Sequence, residues 1–397
     1  MDRKVSIIIP VYKGANYLKE AIESALAQTY ENIEILVVND GSNDNGATEK
    51  IARSFGDKIR YFKKENGGVA SALNMGIKHM EGEYFSWLSH DDVYYPDKIK
   101  KEIEAIEATG DKTTLVQCEY DFYDMATGTK TPSEYHKYYS LEQLSNSVFS
   151  VLQIQIHACG ALIHKSHFKR VGMFDESIRS VQDIEMWFRL YRNQKVLFIP
   201  ESLYFVREHS EAGNRTITNY FAETCKLYRE LIRQMSDEEL EKVYGSAFRG
   251  IVRIAGFLQS FENDSSELED RLKNCPMTEI DRQSVKEVAE LLKSTENQVY
   301  IFGAGMYGVR LAYEMKKRDL RIDGFLDNNP ALEGKKVEEI TCYRPSILEE
   351  AAEEITVIIA ARNYKGIEEE LKQYKNVHIV KKLDIESLLY KNESVGK

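Results

Sequence analysis

The sequence lacks the features that mark disulfide-rich and membrane-spanning proteins. Its five cysteines are scattered over 397 residues without a Cys-x-x-Cys pair, which favours a reduced, cytosolic setting over a disulfide framework. No apolar run reaches the length of about eighteen residues that a transmembrane helix needs, so none is predicted. The first apolar run is broken by Pro10 and followed by Lys13, which argues against a signal peptide.

Positive charge is also scarce. Lys and Arg number 53 and Asp and Glu number 64, which gives a formal net charge of −11. A nucleic-acid partner would require a basic surface, and an anionic membrane would repel the chain as a whole. We therefore expect a cytoplasmic protein with no nucleic-acid partner and with at most a peripheral contact with the inner face of the membrane.

The composition is that of a globular protein, with 43% hydrophobic and 29% charged residues. At roughly one domain per 150 residues, the length predicts two or three domains. Residues 1–215 are predicted to form an α/β domain. To about residue 125, β-rich and amphipathic runs alternate as in βα units around a parallel sheet, and the pattern after that is mixed α and β. Residues 216–296 are charged and helical in pattern, which indicates a helical connector. Residues 297–397 are predicted to form a second, smaller α/β domain.

The periodicity of the first domain predicts its individual elements. The predicted strands are Val5–Val11, Ile33–Asn39, Ile59–Phe62, Tyr84–Leu88, Thr114–Cys118, Val196–Ile199 and Leu203–Val206. The predicted helices are Tyr17–Gln28, Thr48–Ser54, Val69–His79, Pro96–Ala108 and Asp183–Tyr191.

Acidic residues follow the second and the fourth of these predicted strands, as Asp40 and as the pair Asp91 and Asp92. Ligands of such sheets bind at the carboxyl ends of the strands. Asp40 could therefore accept hydrogen bonds from a base or ribose, and the Asp pair could hold Mg²⁺ or Mn²⁺ on a diphosphate. Turn formation by Asp40 and helix capping by the pair are the alternatives.

Long stretches of the sequence are similar to a known family. They are VSIIIPVYKGANYLKEAIESALAQTYENIEILVVNDGSND, ENGGVASALNMGIKHMEGEYFSWLSHDD and GMFDESIRSVQDIEMWFRL. In this order they resemble the family 2 glycosyltransferases of the GT-A fold, over residues 4 to about 210. The resemblance implies an inverting, metal-dependent transfer of a sugar from a nucleotide donor that is usually UDP-linked.

The resemblance also implies a donor site. Pro10 and Tyr12 resemble the loop that flanks the uracil, and Asp40 resembles the carboxylate that reads the base. Gly68 and Asn74, in the stretch GGVASALN, resemble the segment that lines the donor site. We therefore expect these residues to surround a nucleotide-sugar.

The metal motif departs from the family pattern, which is commonly Asp-x-Asp followed by a further Asp. This chain has the letters SHDD, with Ser89 where the first Asp is expected. The resemblance leaves Asp91 as the direct ligand of Mn²⁺ or Mg²⁺, with Asp92 contacting the metal or the ribose. Arg207 and His209, in YFVREHS, resemble the family's Arg-x-His element, which meets the diphosphate or the metal.

An acceptor hydroxyl is a weak nucleophile at neutral pH, so an inverting transfer needs a carboxylate that removes its proton. Asp183, in SVQDIEMWFRL, matches the family's Glu-Asp motif and is the predicted base; a helix N-cap is the alternative. Trp187 is expected at an acceptor wall or, alternatively, in the core. His157 and Gly160 are expected to approach the donor sugar and the acceptor. At Gly160, the missing side chain would permit a close approach of the backbone.

The last domain contains a Gly-x-Gly-x-x-Gly motif between a predicted strand and a predicted helix. Its glycines are Gly303, Gly305 and Gly308, and Asp327 follows at close to the spacing, about 20 residues, at which an acid meets a ribose. The domain resembles the small Rossmann-like modules attached to sugar-modifying transferases. A bound nucleotide and a purely structural role are both open.

The predicted function is the transfer of a hexose or N-acetylhexosamine from a UDP donor to a hydroxyl of a glycan, lipid-linked or glycoprotein acceptor. In one alternative, the last domain itself modifies nucleotide-sugars; however, Tyr364 and Lys365 are adjacent rather than at helical spacing. In another, the chain is a non-catalytic sugar-nucleotide-binding scaffold, because Ser89 replaces an acid. Formation of a homo-oligomer is left open.

Overall fold

The structure, a computed structural model, describes residues 3–153, 156–209, 217–259, 266–293, 297–350, 353–361 and 364–391. Its contacts divide the chain into two compact units, Met1–Leu227 and Tyr228–Lys397. Each unit contains its own β-sheet. The division into residues 1–215, 216–296 and 297–397 stays a prediction. In the described ranges, no helix combines the length and the hydrophobicity needed to cross a membrane.

The first unit contains a mixed sheet of nine strands among the described residues. The strands are β1 Val5–Val11, β2 Ile33–Asn39, β3 Arg60–Lys63, β4 Tyr84–Trp87, β5 Val93–Tyr94, β6 Leu115–Asp124, β7 Lys130–Pro132, β8 Ala161–His164 and β9 Val196–Glu208. Their order is β3, β2, β1, β4, β8, β6, β9, β5, and β7 pairs with β6.

Strands β3, β2, β1 and β4 form the parallel part of this sheet. Every residue of β1 is buried, because a parallel strand that is covered on both faces needs an unbroken apolar run such as VSIIIPV. Strand β8 runs antiparallel to its neighbours β4 and β6. The loops after β1, β2 and β4 therefore meet at one edge of the sheet, which is where Tyr12, Asp40 and Asp91 follow the strands.

The helices of the first unit confirm most of the predicted ones. They are α1 Leu18–Leu26, α2 Ala47–Arg53, α3 Val69–His79, α4 Lys98–Thr109, α5 Tyr135–Tyr138, α6 Leu141–Leu144, α7 Phe149–Leu152, α8 Ser166–Val171 and α9 Gln182–Tyr191. Helix α4 has Asp97 as its N-cap, so Pro96 precedes the helix instead of occupying its first turn. The two strands predicted around residue 200 are one strand, β9, whose pairing with β6 shifts register after Cys118.

The boundary between the units falls inside α10, Tyr220–Gln234. The second unit then contains α11 Asp237–Tyr244, α12 Ala247–Gln259, α13 Ser266–Asn274, α14 Glu279–Lys293, α15 Met306–Lys316, α16 Tyr364–Leu371 and α17 Lys382–Lys391. Its strands are β10 Gln298–Phe302, β11 Gly324–Leu326, β12 Lys336–Val337, β13 Ile340–Tyr343, β14 Ile355–Ile359 and β15 Val377–Lys381.

The second sheet has the order β12, β13, β11, β10, β14, β15 and is parallel except for β12. Its chain order reverses at β10, so the glycine motif after β10 lies at the switch point where such sheets bind ligands. Val288 of α14 and Leu388 of α17 share a hydrophobic core with Ile301 and Phe325 of the sheet. The helix before the sheet therefore belongs to the same core as the sheet.

Gly308, in the first turn of α15, is packed against the preceding loop. A Cβ at Gly308 would lie 1.8 Å from the carbonyl oxygen of Gly303, whereas a Cβ at Gly305 would meet nothing within 4 Å. We expect Gly308→Ala to lower the free energy of unfolding by about 1–3 kcal/mol through overpacking. Gly305→Ala, the matched control, should change it by less than about 0.5 kcal/mol. Denaturant unfolding measures both values, and equal stability of the two variants would contradict the packing argument.

Candidate active site

Asp40 follows β2 directly and is 3% exposed. The backbone N–H groups of Gly67 and Gly68 donate to its carboxylate at 3.0 and 2.7 Å, and Lys64 forms an ion pair with it at 2.7 Å. A carboxylate has about four lone-pair sites, so acceptor capacity remains for a nucleotide. The contact with a base stays a prediction, and the observed bonds show that Asp40 also shapes the loop at residues 64–68.

Gly68 has a φ of +89°, in the region that favours glycine. A Cβ here would lie 2.8 Å from Nη1 of Arg179, and the same Nη1 donates to the carbonyl oxygen of Gly67 at 2.7 Å. Arg179 is distant in sequence and was not singled out by any motif. It connects the segment before α9 to the loop that holds Asp40.

Tyr12 and Pro10 occupy different surroundings. Tyr12 is 41% exposed, and its hydroxyl donates to Asn43 at 3.3 Å. Pro10 is buried inside β1, within the predicted strand Val5–Val11, and its place beside a uracil stays a prediction. Proline has no N–H to donate, and the ladder between β1 and β4 ends at Ile8, two residues before Pro10.

Asn74 is buried in α3, where protein groups bond its carboxamide. Its Nδ2 donates to the carbonyl oxygen of Phe174 at 2.9 Å and to the carboxylate of Glu176 at 2.8 Å, and its Oδ1 accepts from the N–H of Phe174 at 3.0 Å. These bonds hold the chain that leads to α9. A direct contact of Asn74 with the donor stays a prediction.

Asp91 and His209 come together at the ends of β4 and β9. Nε2 of His209 lies 3.1 Å from Oδ2 of Asp91, and Nδ1 of His209 is buried without a hydrogen-bond partner among the described residues. Burial opposes ionisation of Asp91, but the hydrogen bond with His209 and the nearby His90 outweigh it and lower the pKa of Asp91. An ionised carboxylate suits Mn²⁺ or Mg²⁺, and the imidazole offers a second ligand atom.

Asp92 is 3% exposed and faces protein donors. Its carboxylate accepts from the backbone N–H of Arg207 at 3.2 Å and from the thiol of Cys159 at 3.3 Å. Burial, reinforced by the charge of Asp91, raises the pKa of Asp92 well above its usual range. The geometry therefore supports Asp91 over Asp92 as the metal ligand, and the contact of Asp92 with metal or ribose stays a prediction.

Cys159 links Asp92 to Ser89, whose backbone N–H donates to the sulfur at 3.2 Å. Asp92, His157 and Cys159 each place one ligand-type atom within 4.8 Å of the others. Burial raises the pKa of the Cys159 thiol and lowers the pKa of His157 to about 4. At neutral pH the thiol is protonated and the imidazole is neutral, which agrees with the interpretation of Cys159 as a small buried residue rather than a nucleophile.

The surroundings of Gly160 differ from the expected sugar pocket. A Cβ at Gly160 would lie 2.9 Å from the hydroxyl of Tyr204 and 3.1 Å from the carbonyl oxygen of Cys118. Gly160 thus admits protein atoms on the side of its missing Cβ, and its approach to the donor sugar and the acceptor stays a prediction. The ring of His157 lies 5.3 and 5.7 Å from the rings of Tyr120 and Tyr204, and its contact with sugar stays a prediction.

Trp187 is 0% exposed. Its ring packs against the rings of Phe174 at 6.0 Å, Tyr191 at 6.3 Å and Trp87 at 6.4 Å. The prediction that it forms an acceptor wall is therefore wrong. Trp187 lies on the apolar face of the amphipathic helix α9 and packs in the core, which was the alternative interpretation.

Arg207 is 5% exposed, and its guanidinium already has partners. Nη2 forms an ion pair with Glu20, and Nη1 donates to the backbone carbonyl oxygen of Asp91 at 2.5 Å. In this structure Glu20 balances the charge of Arg207, and the contact of Arg207 with the diphosphate stays a prediction. Sequence reasoning missed Glu20 and Tyr17; their spacing of three residues at the start of α1, which puts both on one helix face, was the available signal.

Asp183 lies in the first turn of α9 and is partly exposed. Burial raises its pKa to about 6, against the effect of the backbone N–H of Ile184. Burial and the charge of Asp183 also raise the pKa of Tyr220 to about 12, so Tyr220 is a neighbour that no motif indicated. A carboxylate with a pKa near neutral pH is suited to act as a general base.

In the second unit, Gly303 has a φ of +105° and follows β10. Oδ2 of Asp327 accepts from the N–H of Ala304 at 2.9 Å, and Oδ1 accepts from the N–H of Asn329 at 2.8 Å. Asp327 therefore connects the glycine loop to the end of β11. Its contact with a ribose stays a prediction.

Comparison with known proteins agrees with this arrangement. Residues 6–172 match glycosyl transferase family 2. An uncharacterized glycosyltransferase of Rickettsia typhi is 46% identical over 255 residues, which are 64% of this chain and 80% of that protein. GlyG of Streptococcus pneumoniae is 30% identical over 241 residues, covering 54% of this chain and 74% of GlyG. In longer relatives from Rickettsia conorii, bellii and felis, the matched region is 37–42% of their length.

Solved structures share the fold. TarS of Staphylococcus aureus in complex with UDP-GlcNAc has a TM-score of 0.51 at 16% identity, over 72% of this chain and 80% of that chain. The mannosyltransferase PcManGT of Pyrobaculum calidifontis in complex with GDP-Man and Mn²⁺ has a TM-score of 0.50 at 14% identity, over 74% and 81%. The sequence matches show that the chain belongs to glycosyltransferase family 2.

Proposed function

We propose that the first unit transfers a sugar, with inversion, from a nucleotide-diphosphate donor to an acceptor hydroxyl, with Asp183 as the general base. The observation that carries this proposal is the environment of Asp183. Its segment is bonded to the loop of Asp40 through Arg179 and Gly67. Its pKa of about 6 leaves the carboxylate largely ionised at neutral pH and still able to take a proton.

The donor in this proposal is a UDP-sugar, either a UDP-hexose or a UDP-N-acetylhexosamine. Tyr12, Asp40 and the loop at Gly68 lie at the edge of the sheet where ligands of parallel sheets bind. The TarS complex makes UDP-GlcNAc the first donor to test. The acceptor is a hydroxyl of a glycan, a lipid-linked oligosaccharide or a glycoprotein.

Asp91 and His209 would hold the divalent cation. Their ligand atoms already face each other at 3.1 Å, and Asp91 is ionised, so the residues fit Mn²⁺ or Mg²⁺. When bound, the cation supplies the positive charge that stabilises a departing diphosphate. The complex of the mannosyltransferase makes Mn²⁺ the first ion to test.

Asp183 accepts the proton of the acceptor hydroxyl as that oxygen attacks the anomeric carbon. The bond from this carbon to the diphosphate oxygen breaks on the opposite face, which inverts the configuration. The contacts from Phe174 to Asn74 and from Ser180 to Glu223 hold the segment before α9, so the position of Asp183 does not depend on its helix alone.

Asp183→Asn removes the base and keeps the shape of the side chain. We expect sugar transfer to slow by about 10²- to 10⁴-fold, with UDP affinity unchanged. In the wild type, kcat/KM should fall as the pH drops below about 6, because burial raises the pKa of Asp183 to that value and only the ionised form accepts a proton. Initial rates over a pH series measure both effects.

Asp175→Asn is the matched control for this experiment. Asp175 is an exposed acid of the same segment, and its carboxylate accepts hydrogen bonds only from Ser177 among the contacts of the described residues. Its variant should transfer sugar at the wild-type rate. An active Asp183→Asn enzyme would remove Asp183 from its role, and a joint loss of UDP binding would indicate damage to the donor site.

Asp91→Asn should remove the effect of metal on the donor. We expect Mn²⁺ to raise the affinity of the wild type for UDP, and this increase should shrink by at least about tenfold in the variant. Calorimetric titration with UDP, with Mn²⁺ or with chelator, measures it. Asp97→Asn, an exposed acid at the N-cap of α4, is the control. Equal loss of affinity in chelator would contradict the metal assignment.

We also propose a nucleotide or nucleotide-sugar site at the glycine motif of the second unit. The motif lies at the switch point of the sheet, and the space at Gly305 is open, so a phosphate could approach the N-terminus of α15. Titration of the whole chain with UDP should reveal two sites, and Gly305→Val should remove one of them. A single UDP site in the wild type and in the Gly305→Val variant alike would mean that this domain is a scaffold.

A further inference from the structure

Arg207 is a buried cation directly beside the proposed metal ligands. Nη1 donates to the backbone carbonyl oxygen of Asp91 at 2.5 Å, and the backbone N–H donates to Asp92 at 3.2 Å. The side chain is only 3% exposed, so water screens its charge poorly. Without a counter-charge, this guanidinium would repel a cation held by Asp91 and His209.

Glu20 supplies that counter-charge from a different part of the chain. It lies in the first turn of α1, and its carboxylate pairs with Nη2 of Arg207. In the described ranges, no other carboxylate forms an ion pair with Arg207. The Glu20 side chain is itself 57% exposed, so it can be changed without opening the core.

Aromatic rings fix the guanidinium in this place. The ring centres of Tyr17 and Phe205 lie 5.1 and 5.3 Å from the guanidinium carbon of Arg207. The ring of Tyr17 also lies 5.2 Å from the ring of His209. The start of α1 thus contacts Arg207 through Glu20 and Tyr17, and it contacts His209 through Tyr17.

We propose that Glu20 is a positioning residue of the metal site. Its negative charge balances Arg207, which in turn holds the backbone of Asp91, so that a divalent cation can bind between Asp91 and His209 without repulsion. The inference rests on the proposed metal role of these two residues. It assigns an effect on metal affinity to Glu20, an exposed residue of α1 that belongs to none of the site motifs.

The test measures the Mn²⁺ dependence of UDP binding to the whole chain. Glu20→Gln keeps the size of the side chain and removes its charge, and we expect the half-saturating Mn²⁺ concentration to rise by about tenfold. Glu23→Gln is the matched control, because Glu23 is an exposed acid on the same helix that faces Lys19. In chelator, UDP should bind the wild type and both variants equally, which a general structural defect would not allow.

Glu20→Asp separates charge from shape. It restores the negative charge and should return the half-saturating Mn²⁺ concentration toward the wild-type value. A folded Glu20→Gln protein with wild-type Mn²⁺ dependence would overturn the inference, as would a Glu20→Asp protein as weak as Glu20→Gln. If the wild type shows no Mn²⁺ dependence, the proposed metal role fails and the inference fails with it. That result involves no variant, so the two failures are distinguishable.

Discussion

A carboxylate at the end of a buried strand loses most of its water, so each acid of the site depends on donors that the chain supplies in exchange. Asp40 receives two backbone amides and a lysine, and Asp91 receives an imidazole. Asp92 receives one amide and a thiol, whereas the donors to Asp183 among the described residues are backbone amides at the start of its helix. Residues of one type thereby acquire different affinities for protons and metals, which is how one sheet edge can carry several chemical roles.

Much of the secondary structure of the first unit could be predicted, because it follows from sequence patterns within single strands and helices. The bounds of β1, β2 and α3 follow from unbroken apolar runs and from helical periodicity, and they are confirmed. Asp40 and Asp91 could be placed at the sheet edge because Asp40 directly follows β2 and Asp91 lies four residues after the end of β4. The direction of both strands is set by the parallel pairing. The pattern of the second unit likewise predicted a strand, a glycine loop and a helix in that order.

The sequence did not reveal the contacts between residues that are far apart in the chain. Arg207 could not be recognised as a paired cation, because Glu20 lies near the other end of the unit's sequence. Gly160 packs against Tyr204, and Trp187 enters a cluster of rings from several elements. A local pattern states that a residue is basic, small or aromatic. It does not state which distant side chain meets it.

Ser89 and Cys159 illustrate how such contacts constrain sequence change. Oγ of Ser89 lies 3.4 Å from the sulfur of Cys159, which donates in turn to Asp92. An acid at position 89 would place a second carboxylate against a buried, protonated thiol that has already given its hydrogen to Asp92. The two positions should therefore covary among related chains, with an acid at 89 accompanied by a different residue at 159.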